Sequence, residues 1–99
     1  MSDTNQSIDD GKWTFLTNHG HVLVALSRDA ELRQRDIADL VGITEGAVQR
    51  ILHELTEAGY LEVRRVGRRN TYEVHAEFGL RHPLEAGRTV GDLLTALDR

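Results

Sequence analysis

The side chains best suited to meeting another molecule fall at six positions between Thr44 and His53 and at four arginines between Arg64 and Arg69. Thr44, Glu45, Gly46, Gln49, Arg50 and His53 recur at spacings that an α-helix gathers on one side, opposite an apolar stripe. Glutamine can pair bidentately with adenine and arginine with guanine. A carboxylate can accept from the cytosine amino group, and a helix N-terminus favours phosphate. Such a set can read base edges, although any amphipathic helix also owns a solvated face. Arg64, Arg65, Arg68 and Arg69 stand around Gly67, where a hairpin tip is expected, and cations there clamp phosphates or enter a minor groove. Charges at such an edge also guard against strand pairing, but four arginines within six residues exceed that need.

Other chemistries find little support. With no cysteine there is no disulfide framework, thiolate metal site or cysteine nucleophile. No Gly-rich phosphate loop, nucleophile elbow or apolar pair of carboxylates is present, so an enzyme is not expected. Of the five histidines, His19 and His21 would point apart on a helix, and nothing in the sequence brings His75 and His82 to one ion. Neither a metal nor a cofactor is expected.

The arginines and the base-reading face need elements to hold them. Val22, Leu23, Ala25 and Leu26 have helical spacing and predict a first helix from about His19 to Arg28, with Asn18 as its cap. Ala30 to Leu32 suggests a short strand beside the later hairpin. Ile37, Ala38, Leu40 and Val41 mark the inner face of a second helix, ended by Gly42 in a left-handed turn. Thr44 caps a third helix, Glu45 to Ala58, with Glu45 at its positive end and Val48, Ile51, Leu52 and Leu55 as its stripe. Gly59 closes it. A hairpin follows, running from Tyr60 to Val66, through a turn at Gly67-Arg68-Arg69-Asn70, and back along Thr71 to Val74. Leu61, Val63, Tyr72 and Val74 share one face. Pro83 breaks the chain, and Val90, Leu93, Leu94 and Leu97 predict a last amphipathic helix from about Thr89. Helix, tight turn, helix and basic hairpin in this order give an α+β winged helix-turn-helix. Its parts are a three-helix core, a two- to three-stranded β-wing and a C-terminal helix.

Ninety-nine residues suit one small domain, 13–99, preceded by a polar tail, 1–12, expected to be disordered. A hydrophobic fraction of 39% with 28% charged residues is that of an ordinary globular chain. No apolar run could span a bilayer and no signal pattern opens the chain, so a membrane partner is not expected and a cytoplasmic location is. The net charge of −4 runs against nucleic-acid binding in bulk, yet Asp3, Asp9 and Asp10 lie in the tail while the arginines crowd the hairpin. Trp13 and Phe15, with Leu23 and Leu26 of the first helix and Val90, Leu93, Leu94 and Leu97 of the last, are the apolar residues expected to pair two copies, the alternative being that they pack within the chain's own core. A homodimer would set two third helices about one DNA turn apart.

Gln34 to Tyr60 resembles the winged helix regulators of the MarR and ArsR kind. The likeness is carried above all by Ile43-Thr44-Glu45-Gly46-Ala47-Val48-Gln49-Arg50 and by Leu55-Thr56-Glu57-Ala58-Gly59-Tyr60-Leu61. Within that group the chain is similar to small single-domain prokaryotic members, through Trp13 to Asn18 and Arg81 to Glu85. The resemblance spans roughly Trp13 to Leu97. It implies sequence recognition of double-stranded DNA by the helix carrying Thr44, Gln49 and Arg50, and backbone or minor-groove contact by Arg68 and Arg69. The long flanking helices that form the dimer and ligand cleft of full-length MarR proteins are not expected here, and a small-molecule effector is left open. Winged helices also serve as protein-interaction modules, and the acidic balance with Glu45 suits that alternative.

Overall fold

The computed structural model describes residues 13–98. The tail expected over 1–12 lies outside the described residues. Helix α1, Asn18–Arg28, begins where the Thr17 hydroxyl accepts from the Gly20 amide at 3.4 Å, one residue before the expected cap. Val22, Leu23 and Leu26 form its buried side. Helix α2, Gln34–Val41, starts with the Asp36 carboxylate accepting from the Arg33 amide at 3.2 Å. Ile37 and Ala38 are buried, but Leu40, expected to face inward, is 66% exposed. Three residues on from Ile37, it falls at the margin of the stripe and borders a shallow groove together with Trp13.

Gly42 ends α2 at φ 86°, and its amide and that of Ile43 both donate to the Ala38 carbonyl, at 2.8 and 3.1 Å. Left-handed backbone of this kind suits a residue without a Cβ, and it turns the chain within three residues. The Thr44 hydroxyl then accepts from the Ala47 amide at 3.1 Å and opens helix α3, Glu45–Glu57. Val48, Ile51, Leu52 and Leu55 are all buried, as the i, i+3, i+4, i+7 spacing predicts. At Gly59 (φ 90°) the chain reverses, and an added Cβ would lie only 2.8 Å from Cε2 of Phe78.

Strands β1, Leu61–Val66, and β2, Arg69–Val74, pair antiparallel with Leu61 opposite Val74 and Val66 opposite Arg69. The turn is tighter than the sequence suggests. It consists of Gly67 (φ 62°) and Arg68 alone, with Arg69 and Asn70 already in β2. Leu61 and Tyr72 are buried, whereas Val63 is exposed although it stands opposite Tyr72, because at this level β2 is the strand bonded to Ala30 and β1 is the outer one. The third strand is reduced to one backbone bond, from the Tyr72 amide to the Ala30 carbonyl at 3.1 Å.

Beyond the hairpin the chain folds back on α3. The Tyr60 hydroxyl donates to the Gly79 carbonyl at 2.6 Å, and Gly79 forms an isolated bridge with Thr89. Pro83–Glu85 makes a single 3-10 turn. Helix α4, Val90–Ala96, is capped by Thr89, whose hydroxyl accepts from the Asp92 amide while the Asp92 carboxylate accepts from the Thr89 amide. One core joins Val22, Leu23, Leu26, Ile37, Val48, Ile51, Leu52, Leu55, Tyr60, Leu61, Tyr72 and Val90. The architecture is the expected α+β winged helix-turn-helix with a two-stranded wing.

Candidate nucleic-acid interface

With one side of α3 fixed in the core, Glu45, Gly46, Gln49, Arg50 and His53 are turned to the surface. The acids among them are answered by nearby cations. Arg35 Nε of α2 lies 3.8 Å from Glu45 Oε2, and Arg50 Nη1 lies 3.5 Å from Glu54 Oε1 one turn further on. That same Glu54 oxygen meets His19 Nε2 of α1 at 2.6 Å. The His19 hydrogen bond is the main reason the Glu54 carboxyl stays below its ordinary range; desolvation opposes it and the Arg50 charge adds to it. Gln49 and Arg50 thus stand on the exposed side of a helix whose other side is fixed in the core.

The wing arginines do not form one patch. The strand pleat sends Arg64 and Arg65 to opposite faces. Arg64 Nη2 is held 3.0 Å from Glu73 and 3.7 Å from Glu62, which sets two carboxylates beside its charge. Arg65 Nε donates to the Gly67 carbonyl at 3.3 Å, and Arg69 Nη2 donates to the Glu31 carbonyl at 2.8 Å. Both keep their full charge, since a carbonyl satisfies donors without cancelling it. Arg68, at the tip, has no hydrogen bond or ion pair among the described residues.

A groove of about 410 Å³ brings these parts together. It is bordered by Arg33, Gln34, Arg35 and Asp36 at the start of α2, by Glu45 at the start of α3, and by Arg68, Arg69 and Asn70 of the wing. Sequence reasoning missed Arg33, Gln34 and Arg35. Their signal was visible as two cations at the positive end of a capped helix, where phosphate is favoured. Only the fold, however, sets them opposite the wing.

The residues expected to pair two copies divide. Leu23, Leu26 and Val90 are buried in the chain's own core. Leu93 and Leu94 are half-buried, and Leu94 packs against that core. Trp13 (77% exposed) and Phe15 (92%) stand free, edge to face with ring centres 5.0 Å apart, and Leu97 is also exposed. Among the histidines, His75 lies 3.4 Å from both Glu62 and Glu77, and His82 Nδ1 accepts from the Leu84 amide at 3.0 Å. No cluster of three metal-ligating side chains occurs among the described residues. No described helix is long and apolar enough to cross a membrane.

Comparison with known proteins agrees with this architecture. The family model described as the MarR family matches residues 14–69, more than half of the chain. Among solved structures, the chain is similar to MepR, a transcription regulator of the Staphylococcus aureus multidrug efflux pump MepA, with a TM-score of 0.53 and 20% identity. That likeness is one of fold; it covers 93% of this chain and 62% of MepR, so the chain spans less than two thirds of that protein. No curated protein matches the chain. From α2 and its glycine turn through α3 to the arginine wing, the chain belongs to the MarR family of winged helix-turn-helix transcription regulators.

Proposed function

We propose that residues 13–99 act as one unit that binds double-stranded DNA in a sequence-specific way, as a homodimer on a short palindrome. In this reading α3 enters the major groove and the wing holds the flanking backbone or minor groove. One observation carries it: the first turn of α3, the start of α2 and the wing tip border a single groove. A duplex lying across it would meet the start of α3, at Glu45, together with the cations of α2 and the wing, and Gln49 and Arg50 lie further along the exposed side of the same helix. Gln49 and Arg50 read base edges, with His53 beside them. Thr44, Glu45 and Gly46 present the helix start, and Arg68 and Arg69 face phosphates with Arg33 and Arg35. Arg64 and Arg65 take a lesser part. A net charge of −4 is compatible with this because attraction depends on the local patch, and it implies affinity that salt readily weakens.

A mobility shift on pooled random duplexes across a salt series tests the reading. Retarded DNA whose amount falls as salt rises is expected. No retardation at any salt overturns it and leaves the protein-interaction alternative, which Glu45, Glu54 and Glu57 on α3 favour. Replacing Arg68 and Arg69 together with Ala should weaken binding to every duplex alike. It should also reduce the slope of log affinity against log salt by about 0.9 for each phosphate that the wing no longer neutralises. An unchanged slope would mean that the tip does not touch the backbone.

The dimer is proposed to form through Trp13, Phe15 and Leu97, with Leu93 and Leu94 at its margin. The Trp13 and Phe15 rings touch and form a continuous exposed apolar surface, the kind that marks a protein contact. Phe15→Glu is the clean test, because Phe15 lies outside the core and a charge there costs the fold little. The variant is expected to be monomeric by light scattering and to lose tight duplex binding while its circular dichroism is unchanged. A wild-type protein already monomeric at high micromolar concentration overturns the dimer.

A further inference from the structure

Two partners from different helices compete for one oxygen of Glu54. His19 Nε2, on α1, lies 2.6 Å from Oε1, and Arg50 Nη1, one turn earlier on α3, lies 3.5 Å from the same atom. A carboxylate only accepts, so His19 donates Nε2–H whether its ring is neutral or charged. That bond is already assisted by the carboxylate charge, and adding the second proton strengthens it by making the donor a cation as well.

We infer that Glu54 is a positioning residue shared by His19 and Arg50, so that the charge on His19 sets how firmly Glu54 holds Arg50 back from a bound duplex. With His19 neutral, Arg50 alone answers the Glu54 charge, and its guanidinium stays folded along the helix. With His19 protonated, the carboxylate is satisfied from α1, and Arg50 is released to reach outward. All three side chains are substantially exposed, so the effect arises from competition for one atom rather than from burial. The depressed Glu54 carboxyl, held down first by the His19 hydrogen bond, agrees with that ordering.

Charged neighbours set the background against which this competition runs. His53 and Glu57 from α3, and Arg81 and Glu85 from the segment before α4, border the groove that Glu54 and His19 enter. None of them has an ion pair with Glu54. The sign follows from the geometry: acidification that puts the second proton on His19 should tighten duplex binding. The inference rests on α3 being the DNA-reading helix, and it gives α1 a part in recognition that the helix-turn-helix itself does not contain.

Two measurements on the whole chain test it. In DNA-free protein, the Arg50 Nε–H signal in NMR should move between pH 8 and 5.5 with the same midpoint as the His19 ring protons. Glu54→Gln should abolish that coupling. For binding, wild-type affinity should rise on acidification and lose most of that rise in His19→Gln. Glu54→Gln should bind about threefold tighter than wild type at pH 8, the size expected for removing one exposed charge. A variant merely damaged in folding would bind more weakly, so a gain is diagnostic. An Arg50 signal blind to the titration of His19 overturns the inference. So does a pH dependence of binding that survives His19→Gln and disappears in His53→Gln. Coupled signals in a protein that binds no duplex at any pH uphold the network and overturn the DNA-binding reading instead.

Discussion

Ile51→Ala is expected to lower the stability of the domain by about 2–5 kcal/mol, the range for removing a buried aliphatic side chain. In a domain of this size that amounts to roughly 10 °C or more in Tm. Ile51 is 2% exposed and lies at the middle of the α3 stripe, between Val48 and Leu55. Helix α3 packs against α1, α2 and β1, so the void would be walled by three elements that cannot all close on it. The side chains lining that void would lack a packing partner, which adds to the cost of the missing buried apolar area. Ile51→Val removes one methyl from the same place and should cost only about 0.5–1.5 kcal/mol. Thermal unfolding followed by circular dichroism checks both. An Ile51→Ala protein melting close to wild type would mean that α3 is not anchored by its inner face, and the rigid placement of Gln49 and Arg50 would then have no basis.

The second large effect concerns recognition. Arg50→Ala should cost about 1–3 kcal/mol of binding to the preferred duplex if Arg50 reads a base, and much less on unrelated sequences. The guanidinium is clear of the core and, among the described residues, is paired only with Glu54, so the fold loses at most a weak surface ion pair. Binding suffers further, because the Glu54 carboxylate then faces the phosphates without Arg50. Competition titrations with preferred and scrambled duplexes separate the two contributions. An equal loss on both would recast Arg50 as a phosphate contact, and unchanged affinity in a folded variant would remove it from the interface.

Periodicity carried most of the fold. The α3 stripe was legible because a 3.6-residue repeat puts Val48, Ile51, Leu52 and Leu55 on one side whatever else the chain does. Gly42 was legible as a helix end because few other residues adopt its φ of 86° so readily. The turn at the wing is two residues shorter than its sequence suggests, since Arg69 and Asn70 have no strong preference between turn and strand. Only the pairing of Val66 with Arg69 settles it. Leu40 looked like an inner-face residue through a repeat that two helical turns are too short to define. The candidate site was legible where its residues are local, as on α3. It was illegible where they come together across the chain, as Arg35 does with Glu45 and His19 with Glu54, and where Arg33 borders one groove with the wing. The expected pairing surface failed to separate for a related reason. Leu23 and Val90 look like any other apolar helix residue until the fold buries them.

The wing is tied to the loop between α1 and α2 at two points, through the Tyr72 amide on the Ala30 carbonyl and Arg69 on the Glu31 carbonyl. A free hairpin tip must give up conformational entropy when it settles on a partner, on the order of 1–2 kcal/mol for each backbone residue that becomes fixed. Here much of that ordering is completed during folding, before any ligand arrives. The tip is preorganised, so in the proposed DNA-binding reading a contact from Arg68 to a phosphate would lose little to freezing the strand beneath it.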